Sequence, residues 1–447
     1  MKQRQWVVIL SSIATVLILQ ASCGNKQVTF AKDIAPLIHQ NCSPCHHKNG
    51  AGPFELITYK QIFAKAKTVA KVTKIRYMPP WPANPNYSHF KDEKYLTDEQ
   101  IELIQQWVKE GKKAGDTASV EYPSFNYYSN LGKPDKVLKL PKIVIQGNSR
   151  DRFWLVKSLG EIEQDTYVSA IEFIPNQKAY IHHVNGYMLN YDHQPIKTQK
   201  RLVDVESLNY AEESANLQLT DSSKGSVSKI HSAFNYLPGV FASSYPEGIG
   251  GFKINKNFAL VCNDLHFGPS FQDTFDESQI NIYFAKKKPK RPTRELMMGT
   301  NGVSAIKPPL IVQPNEVKLC TSKLYIPESI SILSINPHMH LIGFNFKAYA
   351  LKPNKDTIPL IHIPSWDFRW QYFYTFPKML KIPAGSTIVV EAAFDNTTDN
   401  PLNPFDPPQL IQERTDLQGA GMRTTDEMLQ FIITYLPYEV GDEDIEL

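Results

Sequence analysis

The hydrophobic pattern changes once along this chain, and that change bounds what it can fold into. Up to about residue 118 the apolar residues recur at helical spacing. From about Val137 onward they fall in short runs separated by Pro, Gly and Asn. In the first part, residues 30–40 read as a short helix and 59–74 as a longer one. Thr97 with Gln100 three residues on forms a capping box that opens a third helix. Ile101, Leu103, Ile104, Trp107 and Val108 make its apolar face, and Gly111 ends it. In the second part, residues 167–175 and 387–394 are rich in β-branched residues and read as strands. The stretch after 137 is too long for one sandwich, so two β-sandwiches are expected. Residues 112–135 are polar and aperiodic and read as a linker packed over the surface. Residues 192–230 read as a long loop.

Composition narrows the class. At 447 residues the chain has room for roughly three domains. With 42% apolar and 21% charged residues it is neither mainly disordered nor a polytopic membrane protein. The net charge of +3, with Lys and Arg dispersed, gives no footprint for nucleic acid.

Five cysteines, at 23, 42, 45, 262 and 320, are too few for a disulfide scaffold. Cys42-Ser43-Pro44-Cys45-His46 has the spacing of a c-type haem attachment site, in which two thiols add to the haem vinyl groups and His46 binds the iron. A redox CxxC or half a zinc site is the other reading, but zinc wants a second pair and none follows. Met78, in Arg76-Tyr77-Met78-Pro79-Pro80-Trp81-Pro82, is the expected distal ligand, the alternative being a core residue. His39 and His47 lie off the motif positions. Residues 27–118 look like a small class I cytochrome c. Cys262 and Cys320 can pair in an oxidising compartment or be buried apolar residues; both readings stay open.

The N-terminus carries an export signal. Lys2 and Arg4 precede an apolar run over 6–19, short for a membrane span and suited to a signal peptide. It ends in Leu19-Gln20-Ala21-Ser22-Cys23, which resembles a bacterial lipobox, with Gln20 where Leu is usual. Residues 1–22 would then be removed and Cys23 would carry a lipid anchor; ordinary cleavage nearby is the alternative. Either way the mature chain is exported, as a periplasmic or outer-surface protein.

Three histidine elements fall on strand-like sequence: His182-His183, His266 before Phe267-Gly268-Pro269, and His338-Met339-His340. Residues i and i+2 of a strand share a face, so His338 and His340 can reach one metal. His182 and His183 need a strand end, a bulge or different ring nitrogens to do so. Imidazoles suit zinc, copper, iron or nickel, and a thioether favours Cu(I). A candidate thioether is Met428, in Thr425-Asp426-Glu427-Met428.

These pieces, with Phe394-Asp395-Asn396-Thr397 and Asn400-Pro401-Leu402-Asn403-Pro404 between the last two, resemble in order the copper type II, ascorbate-dependent monooxygenases. That is the family of peptidylglycine α-hydroxylating and dopamine β-monooxygenases, and the resemblance covers about 136–440. It implies two mononuclear coppers: an electron-transfer copper on His182, His183 and His266, and an O2-binding copper on His338, His340 and Met428. Met422 and Met339 are rivals to Met428 that do not match the motif. It also implies two jelly-roll-like sandwiches, over 136–300 and 301–447, joined through a linker at 119–135 to the cytochrome-like segment. Asn336 stands where the peptide-hydroxylating member has an Arg that grips the substrate carboxylate, and Gln430 and Ile432 replace an Asn and a Tyr. Peptide amidation is therefore not expected, and the family's disulfides are absent.

The expected function is hydroxylation of a C–H bond of a small organic substrate with O2, the fused haem passing electrons singly to copper. The donor would be quinol-linked or periplasmic, or ascorbate-like. The alternative is a haem- and copper-binding electron-transfer lipoprotein without oxygenase activity. A zinc hydrolase would leave Met428 and the haem without a role. His89, His193, His231 and His362 lack ligand spacing and read as surface or loop residues. The segment Trp366-Asp367-Phe368-Arg369-Trp370-Gln371 reads as core packing.

Overall fold

A computed structural model describes residues 27–447 except 126–128, 130, 149, 196–200, 206, 208, 220–226, 241, 243 and 415–422. The export signal, Cys23 and Met422 lie outside the described residues. The fold is mainly β, with 39% strand and 13% helix in several antiparallel sheets. Among the described residues no helix is long and apolar enough to cross a membrane.

The chain divides into two units. The first is Met1–Ser43, Leu56–Met78 and Leu96–Pro123; the second is Pro44–Glu55, Pro79–Tyr95 and Ser124–Leu447. The first unit is helical. Phe30–Ile34 begins as a π turn and runs into the α-helix Ala35–Asn41. Tyr59–Lys74 and Asp98–Lys109 follow, each opened by a capping box, Thr58 with Gln61 and Thr97 with Gln100. Phe30 packs against Tyr59 and Trp107 at ring distances of 5.2 and 6.5 Å. Gly111, at φ +88°, turns the chain after the last helix, and Trp107 Nε1 then donates to the Lys113 carbonyl at 3.0 Å.

The second unit holds two sets of sheets. In one set, a five-stranded sheet runs in the spatial order Leu202–Asp204, Arg152–Glu161, Asn257–Phe267, Ile181–Tyr191, Val227–Tyr236. A four-stranded sheet runs Lys136–Lys139, Gln279–Phe284, Thr166–Ile174, Phe252–Ile254. Alternate residues of both, such as Val168, Phe173 and Ile282 with Val184, Met188 and Leu260, meet in one core. The other set pairs Arg294–Gly299, Leu429–Pro437, Ile330–Met339 and Tyr374–Ile382 in that order. A five-stranded sheet centred on Ser386–Asp395 shares its core. This second set begins at Arg294, ahead of the expected boundary at 301. Ala83 and Phe90 belong to its core, so residues 79–95 of the expected haem segment pack with the β unit.

Two expectations change. The 192–230 stretch carries the short strand Leu202–Asp204, the helix Tyr210–Ala215 and the start of Val227–Tyr236. His231 and His362 lie on strands, within Val227–Tyr236 and Thr357–Ile363. Cys262 and Cys320 are both free, each buried in a different core, which decides between the two readings left open.

Arg291 pairs with Asp442 at 2.6 and 2.9 Å, and the Ser331 hydroxyl donates to the same carboxylate. Burial pushes the Asp442 carboxyl up, but Arg291 and the surrounding donors outweigh it and hold it down at about 2. A depressed carboxyl stabilises the fold above its unfolded value and loses that contribution as pH falls through about 2. Asp442→Asn is therefore expected to cost about 2–3 kcal/mol at pH 7. The gap to the parent should narrow between pH 4 and pH 2 in urea titrations.

Candidate metal and haem site

The Cys42–His46 segment leads into a tight loop. Gly52 N–H donates to the Cys45 carbonyl at 2.9 Å, and His46 Nδ1 lies 3.0 Å from the Phe54 carbonyl. A carbonyl only accepts, so Nδ1 carries the hydrogen and Nε2 keeps its lone pair, as an iron ligand requires. A Cβ on Gly52 would come within 2.5 Å of the His46 ring, so glycine is what lets the ring sit there. Burial lowers the His46 imidazole and raises the Cys45 thiol. The Cys45 thiol donates to the Pro238 carbonyl at 3.4 Å, and Gly239, at φ +73°, lies close enough that a Cβ would strike the sulfur. Cys42 is half-buried and forms no disulfide among the described residues, and Met78 is half-buried with its N–H on the Val72 carbonyl. His39 is engaged with the Ile57 carbonyl at 2.7 Å, and His47 stacks on Phe125.

His183 lies opposite His266 where Ile181–Tyr191 pairs with Asn257–Phe267, and the register shifts on both sides of His183. That irregularity answers the problem of adjacent histidines, because it breaks the strict alternation of faces. The His182 and His183 rings both lie edge-on to His266, at 4.8 and 4.9 Å. His183 Nδ1 and His266 Nδ1 are 3.4 Å apart. Two imidazole nitrogens sharing a tetrahedral metal at ~2.0–2.1 Å are separated by about 3.3 Å. The outer nitrogens meet carboxylates: His266 Nε2 lies 2.7 Å from Asp151, and His183 Nε2 lies 3.3 Å from Asp264. These oxygens accept, so both hydrogens sit on Nε2 and both Nδ1 lone pairs face each other. Among the described residues, His182 Nδ1 is buried without a hydrogen-bond partner. The facing Nδ1 atoms of His183 and His266 fit two donors of one metal. The three groups that bring one donor atom each within 4.8 Å of one another are Asp151, His182 and His266, which makes Asp151 a candidate ligand beside the expected histidines.

The second histidine pair lies at the end of Ile330–Met339. There His338 pairs with Gln430 and Met339 with Leu429, and the ladder ends one residue short of His340 on one strand and of Met428 on the other. His338 and His340 have ring centroids 5.1 Å apart, nearly perpendicular. His338 Nδ1 bonds to Gln371 Oε1 at 2.6 Å and His340 Nδ1 to the Asp426 carbonyl at 3.0 Å, which leaves both Nε2 lone pairs for a metal. Met428 is buried just before the strand that pairs with them, whereas Met339 belongs to the apolar core. Glu427, which burial raises to about 8, takes the N–H groups of His340, Ile342 and Met428 and so ties the turn after His340 to the methionine strand. Burial lowers the His182 and His338 imidazoles and brings His266 and His340 down to about 3, so these rings stay neutral.

A buried polar network joins the two histidine groups. Gln371 Nε2 donates to the Phe368 carbonyl at 2.9 Å, and its Oε1 accepts from Asn185 at 2.9 Å, which fixes the amide orientation. So oriented, it holds His338 at one end and lies 3.2 Å from His183 Nε2 at the other. Asp264 accepts from the Asn185 backbone and side chain at 2.6 and 2.9 Å. Phe368 lies edge-on to both His183 and His340, at 5.6 Å from each. Asn336 donates to the Tyr372 carbonyl at 3.3 Å.

Every described candidate ligand is thus accounted for. The sequence reading missed Asp151, Asn185, Asp264, Phe368, Gln371 and Glu427. Glu427 lay inside the quoted methionine motif and Gln371 inside the aromatic segment read as packing. The others carried no spacing signal. No family model matches this chain, and no curated protein matches it.

Asp264→Asn keeps the shape but removes the carboxylate behind His183. The affinity of the His183–His266 group for added cupric ion is expected to fall about 10–100-fold, measured by competition with a chelator.

Proposed function

We propose that the chain is an exported copper- and haem-dependent monooxygenase that hydroxylates a C–H bond of a small organic substrate with O2. The haem would be held by Cys42, Cys45, His46 and Met78, one copper by His182, His183 and His266, and the other by His338, His340 and Met428. The observation that carries this reading is the preset tautomers: Nδ1 lone pairs 3.4 Å apart at His183 and His266, and free Nε2 atoms at His338 and His340. When bound, the coppers supply one-electron chemistry and O2 activation, and the haem supplies stored electrons.

The chain's own residues supply the rest. Asp151 and Asp264 keep protons on the outer nitrogens of His266 and His183. Gln371 keeps one on His338 Nδ1. Phe153, stacked on His266 at 4.2 Å, and Phe368 keep water from the imidazoles. Glu427 holds the His340 backbone against the methionine strand. The two sets of sheets are read as jelly-roll-like sandwiches and the helical unit as part of a class I cytochrome c. The family resemblance, the apolar leader and Cys23 support export as a lipid-anchored protein.

A second reading, electron transfer without oxygenation, is favoured by the burial of His338 and His340, at 6% and 2% exposure, since a substrate must reach an oxygenase site. Metal analysis tests the first step. The haem-matured chain loaded with copper is expected to hold one iron and two coppers, and Met428→Ala or His338→Ala to lose one copper while keeping the other and the haem. Iron without tight copper would sink the catalytic reading. Copper-dependent consumption of O2 that no C–H substrate accelerates would favour electron transfer alone.

A further inference from the structure

Gln371 and Tyr372 are neighbours in sequence with side chains committed to different places in the second unit. Gln371 Oε1 accepts from His338 Nδ1 at 2.6 Å, its amide nitrogen packs 3.2 Å from His183 Nε2 as a contact between two donors rather than a hydrogen bond, and the side chain is buried. Tyr372 is also buried, and its hydroxyl donates to the Pro80 carbonyl at 2.7 Å, two residues after Met78. Its ring lies 5.2 Å from Trp81, edge-on. Burial, with Cys45 among its neighbours, raises the phenol of Tyr372, and the same holds for Tyr236.

A second path leads from the haem motif to the same place. The Cys45 sulfur packs 3.4 Å from the Pro238 carbonyl, a contact that needs no S–H once the sulfur is a thioether, and three residues back Asn235 donates to the Gln371 carbonyl at 3.0 Å and to Asn185 Oδ1 at 2.8 Å. Both paths end at Gln371, whose amide is held by Phe368 and Asn185 and has no freedom to turn away. Contiguous packed and hydrogen-bonded groups are what coupling between separated sites requires.

We infer that Gln371–Tyr372 is the bridge that carries electrons from the haem attachment region to both histidine groups. This rests on the proposed haem and copper sites. In each transfer one electron leaves ferrous haem, which becomes ferric, and one cupric ion becomes cuprous; no proton moves. A one-electron donor from outside the chain reduces the haem again.

The test uses the full chain with matured haem and copper, kept without O2. The haem is reduced by a light pulse with a photoreductant, and its re-oxidation by cupric ion is followed from haem absorbance. Iron and copper content and the cupric spin-resonance spectrum are recorded for each variant. The parent should show re-oxidation at a rate independent of protein concentration. Gln371→Leu should slow it by about tenfold or more, and Tyr372→Phe, which keeps the ring and loses the Pro80 bond, by several-fold, both with metals retained. Tyr374→Phe is the control, since that hydroxyl is buried without a partner among the described residues, and should leave the rate alone. If Gln371→Leu loses copper, Tyr372→Phe decides, because its hydroxyl touches no histidine. Unchanged rates in both variants with metals retained would overturn the bridge. A parent that binds no copper, or never re-oxidises its haem within the chain, would instead overturn the reading beneath it.

Discussion

Burying imidazole is costly unless each ring nitrogen is given a defined partner, and this constraint organises the second unit. His183, His266, His338 and His340 are buried, and each has one nitrogen committed to a fixed acceptor: Asp264, Asp151, Gln371 and the Asp426 carbonyl. The other nitrogen is left as a lone pair. The tautomer of every ring follows from its surroundings, and the arrangement of lone pairs follows from the tautomers. Two carboxylates, one amide and one carbonyl thus define two donor sets of different character. One uses Nδ1 and is backed by negative charge; the other uses Nε2 and is backed by neutral groups.

The same constraint shapes the meeting of the two sets of sheets. Asn185, Asn235 and Asp264 come from the first set and Gln371 from the approach to Tyr374–Ile382 in the second. Polar groups buried at such a junction must satisfy one another, and a network with little slack specifies one docking of the sheets. Apolar contact through Phe153 and Phe368 adds area but little direction.

Much of this was legible in the sequence where a local rule governs. The helix over 59–74 and the Thr97 capping box follow from periodicity and cap chemistry, and the strands over 167–175 and 387–394 from β-branched runs. The His338–His340 pair followed from the two-residue repeat of a strand. The Thr58 cap was a local signal that went unread; the other failures were long-range. Gln371 could not be told from a packing residue, because its partners lie 33 and 188 positions away. Asp151 and Asp264 are ordinary carboxylates until the Asn257–Phe267 strand brings His266 and His183 to them. The bulge at His183 depends on a register that no short window contains.

The division of the chain carries a consequence for modularity. Residues 44–55 and 79–95 belong to the second unit although 27–43, 56–78 and 96–123 belong to the first. A segment cut at the linker would take Phe90 and Ala83 out of a core that they help to fill, leaving a void beneath Tyr374 and Phe376. The helical segment is therefore not an appendage that could be added or removed by a single joining event. Any exchange of it for another segment would have to bring its own replacement for the 79–95 strap.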